Sequence, residues 1–254
     1  MKANKISIAS KTVLAAALLS FTISGCDTEK KNSNQPSDSN VVTRMIRYEV
    51  KAEYQSAFQK KISDYISYSL DLESNILSEA YYEQDKDTVL WIIERWDNKT
   101  ALEKISNSIP FETIDTLSKN GLAAPIQTFY MKDLEPLSKQ QWRTWPGKTD
   151  KPITIMLFVD SKPGTENNFR EVYHAAMPEF RSEPGVINYQ LSQSEDDSSL
   201  FVTYEKFRNE EAFQYHLNFP PIKPVIDYLN TSIKKQPFQT GLHRLIEFAP
   251  LTSK

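Results

Sequence analysis

His216 is the side chain best suited to move a proton at neutral pH in this chain of 254 residues, because an unperturbed imidazole titrates near ~6.5. It closes the run Glu210-Glu211-Ala212-Phe213-Gln214-Tyr215 and precedes Pro220-Pro221, so it sits on a short helix that the prolines stop. Tyr189 and Tyr204 offer hydroxyls that can hydrogen-bond a substrate oxygen while their rings line an apolar pocket. Phe207 and Trp96 end two apolar runs, with Glu205 and Glu94 two residues before them. That spacing puts acid and aromatic on one face of a strand, where the acid can act as a base. Tyr173 adds a ring at helical spacing from Phe169 and Ala176. The same types also serve structural ends. His216 can satisfy a broken helix, the aromatics can be core, and the two acids can be solvated strand ends. His174 is expected to face solvent, and His243 lies in the last strand, free to face either side.

Other chemistries find little support. Three scattered histidines and a single cysteine make no metal-ligand cluster, so no metal site is expected. Six glycines occur in the whole chain and none forms a phosphate-cradling loop. A net charge of −3 without a basic run argues against nucleic acid as a partner.

The elements that must position these residues come in two sets. Residues 85–102 align without a gap on residues 196–213. Glu94 meets Glu205, Trp96 meets Phe207, Asn98 meets Asn209 and Ala101 meets Ala212, all 111 positions apart. The same shift pairs Phe58 with Phe169, Ile76 with Ile187, and Pro110 with Pro221, so the chain is an internal duplication. Each copy reads strand, helix, strand, strand, broken helix, strand. In copy two the strands are expected at 153–159, 186–193, 200–207 and 242–248, and in copy one at 43–50, 75–84, 88–96 and 124–131. Glu183-Pro184-Gly185 stops the first helix of copy two. The order is a ferredoxin-like split βαβ pattern, repeated. The expected division is a leader at 1–25, a polar tether at 26–41, domain one at 42–131, a linker at 132–151 and domain two at 152–250. Trp142 and Trp145 suggest that the linker packs onto the domains.

Glu183-Pro184-Gly185-Val186-Ile187-Asn188-Tyr189, then Phe201 to Glu205, then Asn209 to Leu217 ending in His216, resemble the antibiotic biosynthesis monooxygenase (ABM) family. The family pattern is Glu-Pro-Gly, an apolar residue and a tyrosine, a strand ending in an acid and an aromatic, then a helix ending in histidine. Copy one keeps Glu94, Trp96, Asn98, Ala101 and Leu102 but has Ser74-Asn75 in the turn and Ile105 in place of His216, so it is degenerate. The resemblance implies an α+β fold in which two ferredoxin-like sheets form a dimeric α+β barrel, here within one chain. It further implies a cofactor-independent monooxygenase that acts with dioxygen on a quinol or phenolic substrate. His216, Tyr189 and Tyr204 would be catalytic, and Phe207, Trp96, Glu205 and Tyr173 would line the substrate pocket. No cofactor is expected, and a homo-oligomer stays open. The alternative is a non-catalytic envelope module that binds an aromatic or apolar ligand or a partner protein, which the degenerate copy favours.

The N-terminus bears on location. Lys2, Lys5 and Lys11 precede a short apolar run, Val13 to Phe21, and Ile23-Ser24-Gly25-Cys26 resembles the bacterial lipobox. The run is shorter than the roughly 20 apolar residues of a spanning helix. The resemblance implies cleavage before Cys26 and lipid, including an acyl chain such as palmitate, on that cysteine. Each buried methylene adds about 0.8 kcal/mol of membrane affinity. The expected address is a bacterial envelope membrane facing the periplasm, with Asp27 favouring the inner membrane.

Overall fold

The computed structural model describes residues 40–235 and 241–250. Cys26, the leader and nearly all of the polar tether lie outside them. Copy one runs β1 (Val42–Glu49), α1 (Gln55–Leu70), β2 (Asn75–Glu83), β3 (Lys86–Trp96), α2 (Lys99–Ser106), α3 (Ile109–Gly121) and β4 (Gln127–Leu134). A single turn, α4 (Lys139–Trp142), leads to copy two. That copy runs β5 (Ile153–Asp160), α5 (Glu166–Ser182), β6 (Val186–Ser194), β7 (Leu200–Phe207), α6 (Glu210–Leu217), α7 (Lys223–Thr231) and β8 (Leu242–Ala249).

The duplication is visible atom by atom. Val42 faces Trp96 across β1 and β3, and Ile153 faces Phe207 across β5 and β7. The same bulge interrupts β2 after Asn75 and β6 after Val186. Asn98 caps α2 by accepting from the Ala101 amide, and Asn209 caps α6 by accepting from the Ala212 amide. The last strand of copy one starts three residues later than expected. Pro125, which has no N–H, cannot join the ladder, and β4 instead runs on to Leu134, where it pairs with β6.

The eight strands close into one barrel in the order β1-β3-β2-β8-β5-β7-β6-β4. Each copy contributes a four-stranded antiparallel sheet, and the seams are β2 with β8 and β4 with β6. The expectation of two ferredoxin-like units forming a barrel within one chain is borne out. Alternation along each strand then defines two environments. One face of each sheet packs under its own helices, giving two separate apolar layers. The other face fills the barrel.

The barrel interior is charged as well as apolar. Lys206 donates to Glu79 at 2.8 Å and to Glu247 at 2.6 Å. Tyr81 and Tyr204 both donate to Glu79 Oε2, each at 2.6 Å. Beside them Arg95 pairs with Asp133 at 2.7 Å and lies 3.7 Å over the ring of Trp142, a cation–π contact. Trp142 is buried, whereas Trp145 stays exposed. The α4 segment ties both copies: Arg143 donates to the Leu70, Asn75 and Ile76 carbonyls, while Asn188 donates to the Gln141 carbonyl.

Arg95 and Lys206 therefore face three interior carboxylates, Glu79, Asp133 and Glu247. Burial would raise Glu79, but Lys206 and the two tyrosines hold it below the usual carboxylate range. Glu247 goes the other way. Burial, aided by the Glu79 charge, outweighs Lys206 and pushes it up to about 7. Between the unfolded value of 4.5 and about 7 the native state binds a proton that the unfolded chain has lost, so stability falls as pH rises through that window. Glu247→Gln, which cannot ionise, should match the wild type in thermal melts near about pH 4 and exceed it by roughly 1–3 kcal/mol near about pH 8. An equal effect at both pH values would contradict this account.

Candidate active site

His216, Glu205, Tyr189, Tyr173 and Phe207 meet in the helix-side layer of copy two. His216 is held on α6 with its ring between Phe180, Tyr189 and Phe207, at centroid distances of 4.9, 5.3 and 5.3 Å. Its Nδ1 is 2.7 Å from Glu183 Oε1, and both side chains are buried. With Glu183 as a carboxylate, which only accepts, Nδ1 carries the hydrogen, and a neutral ring then leaves Nε2 as a proton acceptor. Nε2 lies 3.9 Å from Glu205 Oε2, too far for a hydrogen bond. The other oxygen of Glu205 accepts from Tyr189 at 2.9 Å and from Thr203 at 2.7 Å. Burial raises the Glu205 carboxyl despite the opposing pull of His216, Thr203 and Tyr189. Burial and the Glu205 charge raise Tyr173 and Tyr189 well above the ordinary phenol value, so both stay neutral.

Tyr173, Tyr189, Glu205 and His216 line a cavity of about 40 Å³ walled by Ile155, Leu157, Phe213, Leu217, Ile222, Val225 and other apolar residues. Phe207, expected in the pocket, instead packs behind the His216 ring and is not part of the lining. A space of that size holds a water molecule or two. Anything the size of an aromatic ring requires α6 and α7 to move outward.

Local sequence explains the placement. Pro184 and Gly185 end α5 and turn the chain into β6, which fixes Glu183 under α6. A Cβ on Gly185 would stand 2.1 Å from Ala212 Cβ and 3.1 Å from its Cα. Only glycine lets the first turn of α6 press onto this turn, one helical turn ahead of His216. Glu183 is the candidate-site member that sequence reading missed, because Glu183-Pro184-Gly185 reads as a helix stop. A signal for it exists: copy one has Leu72 at the matching position and Ile105 opposite His216, so the two partners are absent together.

Two expected members lie elsewhere. Tyr204 points into the barrel, where it meets Tyr81 and Glu79, because it is adjacent to Glu205 on β7 and alternation sends it to the opposite face. Trp96 belongs to the layer of copy one. Glu205 and Glu94 are both buried, not solvated strand ends, because the helices cover this face of each sheet. His174 is exposed beside Glu135, and His243 lies beside Glu83 and Trp91 in the barrel.

The equivalent space in copy one is filled by the chain itself. Arg44 donates to Glu94 at 2.6 Å and to Ser106 at 2.7 Å, and its guanidinium carbon lies 4.9 Å from the Phe111 ring centroid. Tyr65 and Trp96 also donate to Glu94, at 2.7 and 2.8 Å. Glu94 and Tyr65 outweigh the burial that would lower Arg44, so its pKa is raised and its charge fixed.

Residues 41–114 and 152–226 each match the family model described as antibiotic biosynthesis monooxygenase. The chain belongs to the ABM family. Two solved structures with the same two-copy extent are a candidate monooxygenase of Lactobacillus acidophilus and one of Fusobacterium nucleatum. The first is 14% identical with a TM-score of 0.68, covering 82% of this chain and 94% of that one. The second is 12% identical with a TM-score of 0.66, covering 82% and 92%. An anthrone oxidase-like protein is 11% identical with a TM-score of 0.60, covering 83% and 93%. At these identities the likeness is one of fold. An uncharacterised Synechocystis protein is 28% identical over 88 residues, 35% of this chain and 55% of that protein. The chain thus spans about half the length of that relative.

Gly185→Ala should cost roughly 1–3 kcal/mol in chemical denaturation. Adding Ala212→Gly should recover part of that loss. If the double variant is no more stable than Gly185→Ala alone, the close approach is not what requires glycine.

Proposed function

We propose that copy two is a cofactor-independent monooxygenase site that oxidises a quinol or phenolic compound with dioxygen. The observation that carries it is the buried Glu183–His216 pair, 2.7 Å apart, whose free imidazole nitrogen is aimed toward Glu205 beside an apolar cavity. Membership of the ABM family supports the reaction class. His216 Nε2 takes the phenolic proton, and Glu183 steadies the imidazolium through Nδ1–H. The phenolate, held away from water, passes an electron to dioxygen, and the pair recombines at a ring carbon. One oxygen atom stays on the ring as the quinone carbonyl. As the O–O bond breaks, that ring carbon loses its C–H hydrogen and the other oxygen leaves as water, carrying this hydrogen and the proton returned by His216, so that phenol plus dioxygen gives quinone plus water.

The small cavity favours a second reading, in which copy two binds an aromatic or apolar ligand, or a partner, without turnover. Oxygen uptake by the full-length protein in detergent, with a panel of reduced quinols and phenols, separates the two. Wild-type uptake above buffer is expected, with His216→Ala lowering it about a hundredfold or more. No turnover across the panel would remove the enzyme reading, and turnover untouched by His216→Ala would remove His216 as the base.

The location is proposed on the sequence of residues 1–27. Lipid on Cys26 would hold the double domain at a bacterial envelope membrane, within reach of membrane quinols. Cell fractionation should find the wild type with membranes and Cys26→Ser in the soluble fraction. Equal membrane recovery of both would discard the lipid anchor.

A further inference from the structure

Copy one carries, in its own Arg44, a guide to what the copy-two cavity receives. Arg44, Glu94, Ser106 and Phe111 stand 111 positions before Ile155, Glu205, Leu217 and Ile222, and the latter four all line the copy-two cavity. The two copies therefore hold a carboxylate at the same point of the same strand. In copy one a donor from the chain satisfies it. In copy two Ile155 has removed that donor. Glu205 Oε1 keeps Tyr189 and Thr203, while Oε2 is left 3.9 Å from His216 Nε2. No lysine or arginine lines the cavity, and its titratable residues are Tyr173, Tyr189, Glu205 and His216.

We infer that the copy-two cavity selects an apolar molecule whose polar end is a neutral or cationic hydrogen-bond donor, and that Glu205 is the acceptor that reads this group and rejects anions. This rests on copy two being the ligand site and goes further by fixing the chemical class. A carboxylated, sulfonated or phosphorylated ligand would bring a second negative charge beside Glu205 with no lysine or arginine to meet it and with His216 neutral at about pH 8 before any substrate proton arrives, which is costly. A donor such as a phenolic hydroxyl replaces the bond that Arg44 makes in copy one. It fits the 3.9 Å gap between Glu205 and His216, which leaves room for one oxygen within hydrogen-bond reach of both atoms. The carboxylate is a specificity group in this scheme, and the proton still goes to His216.

The test is calorimetric titration of the full-length protein in detergent at about pH 8 with hydroquinone, benzamidine and benzoate, which share one ring size. Hydroquinone and benzamidine should bind saturably, with benzoate weaker by about tenfold or more, and Glu205→Gln should shrink that ratio to about threefold or less. Ile155→Arg rebuilds the copy-one plug and should abolish binding of both donors while the thermal melt stays cooperative. Benzoate binding as well as hydroquinone, an unchanged ratio in Glu205→Gln, or no saturable binding of either donor would overturn the inference. So would a folded Ile155→Arg that binds normally. If Ile155→Arg fails to fold, the probe ratio in wild type and Glu205→Gln decides alone. Oxygen plays no part in the titration, so a failed oxygenase reading and a failed selectivity reading are told apart.

Discussion

A four-stranded antiparallel sheet has two open edges, and in this protein both edges of one sheet are closed by the other. β2 takes β8 and β4 takes β6, so no strand of the barrel is left unpaired. Once the barrel is closed, strand alternation leaves each side chain only two destinations. One is a shared interior built by both copies. The other is a layer between one sheet and its own helices, which the opposite copy enters at the seams through Ala249 and Leu134.

That partition explains how the two copies diverged so unevenly. The interior is common property, and a change there is felt by both halves. Lys206 of copy two is held by Glu79 of copy one, and Ser192 of copy two donates to Asp133 of copy one. The helix-side layers are tied less tightly, touching the other copy where Ala249 and Phe248 of β8 join the layer of copy one and Leu134 of β4 joins that of copy two. In copy one the layer became a sealed knot of Arg44, Glu94, Tyr65 and Trp96. In copy two the same positions surround a histidine, a carboxylate and a small apolar space. Duplication thus let one layer close into a sealed core while the other kept a histidine beside an apolar space, and the barrel between them was not disturbed.

Much of this could be read from residues. Apolar runs, alternation and turn residues place every strand of copy two within a residue of its observed position, because these are local signals. The grouping of Glu205 with Phe207 and of Glu94 with Trp96 on one strand face follows from spacing alone. Tyr204 was misplaced by ignoring the same rule, since a neighbour of Glu205 cannot share its face. Glu183 and Arg44 were hidden for a different reason. Glu183 looks like part of a turn, and Arg44 like an exposed polar residue in a strand. Each acquires its role from a partner 33 or 50 positions away, and local pattern carries no record of such pairings. The burial of Glu205 and Glu94 likewise depends on helices that follow later in the chain.

The α4 segment shows where repetition in sequence stops describing the molecule. Its tryptophan plugs the barrel under Arg95, and its neighbours grip the start of β2 in one copy and β6 in the other. Add the two seams, and the halves are stitched together at three places. The duplicated unit is therefore a unit of ancestry and not of modularity. A cut through the segment between the copies would yield two fragments, each with bare strand edges and half a charged core, and no spare domain to graft elsewhere.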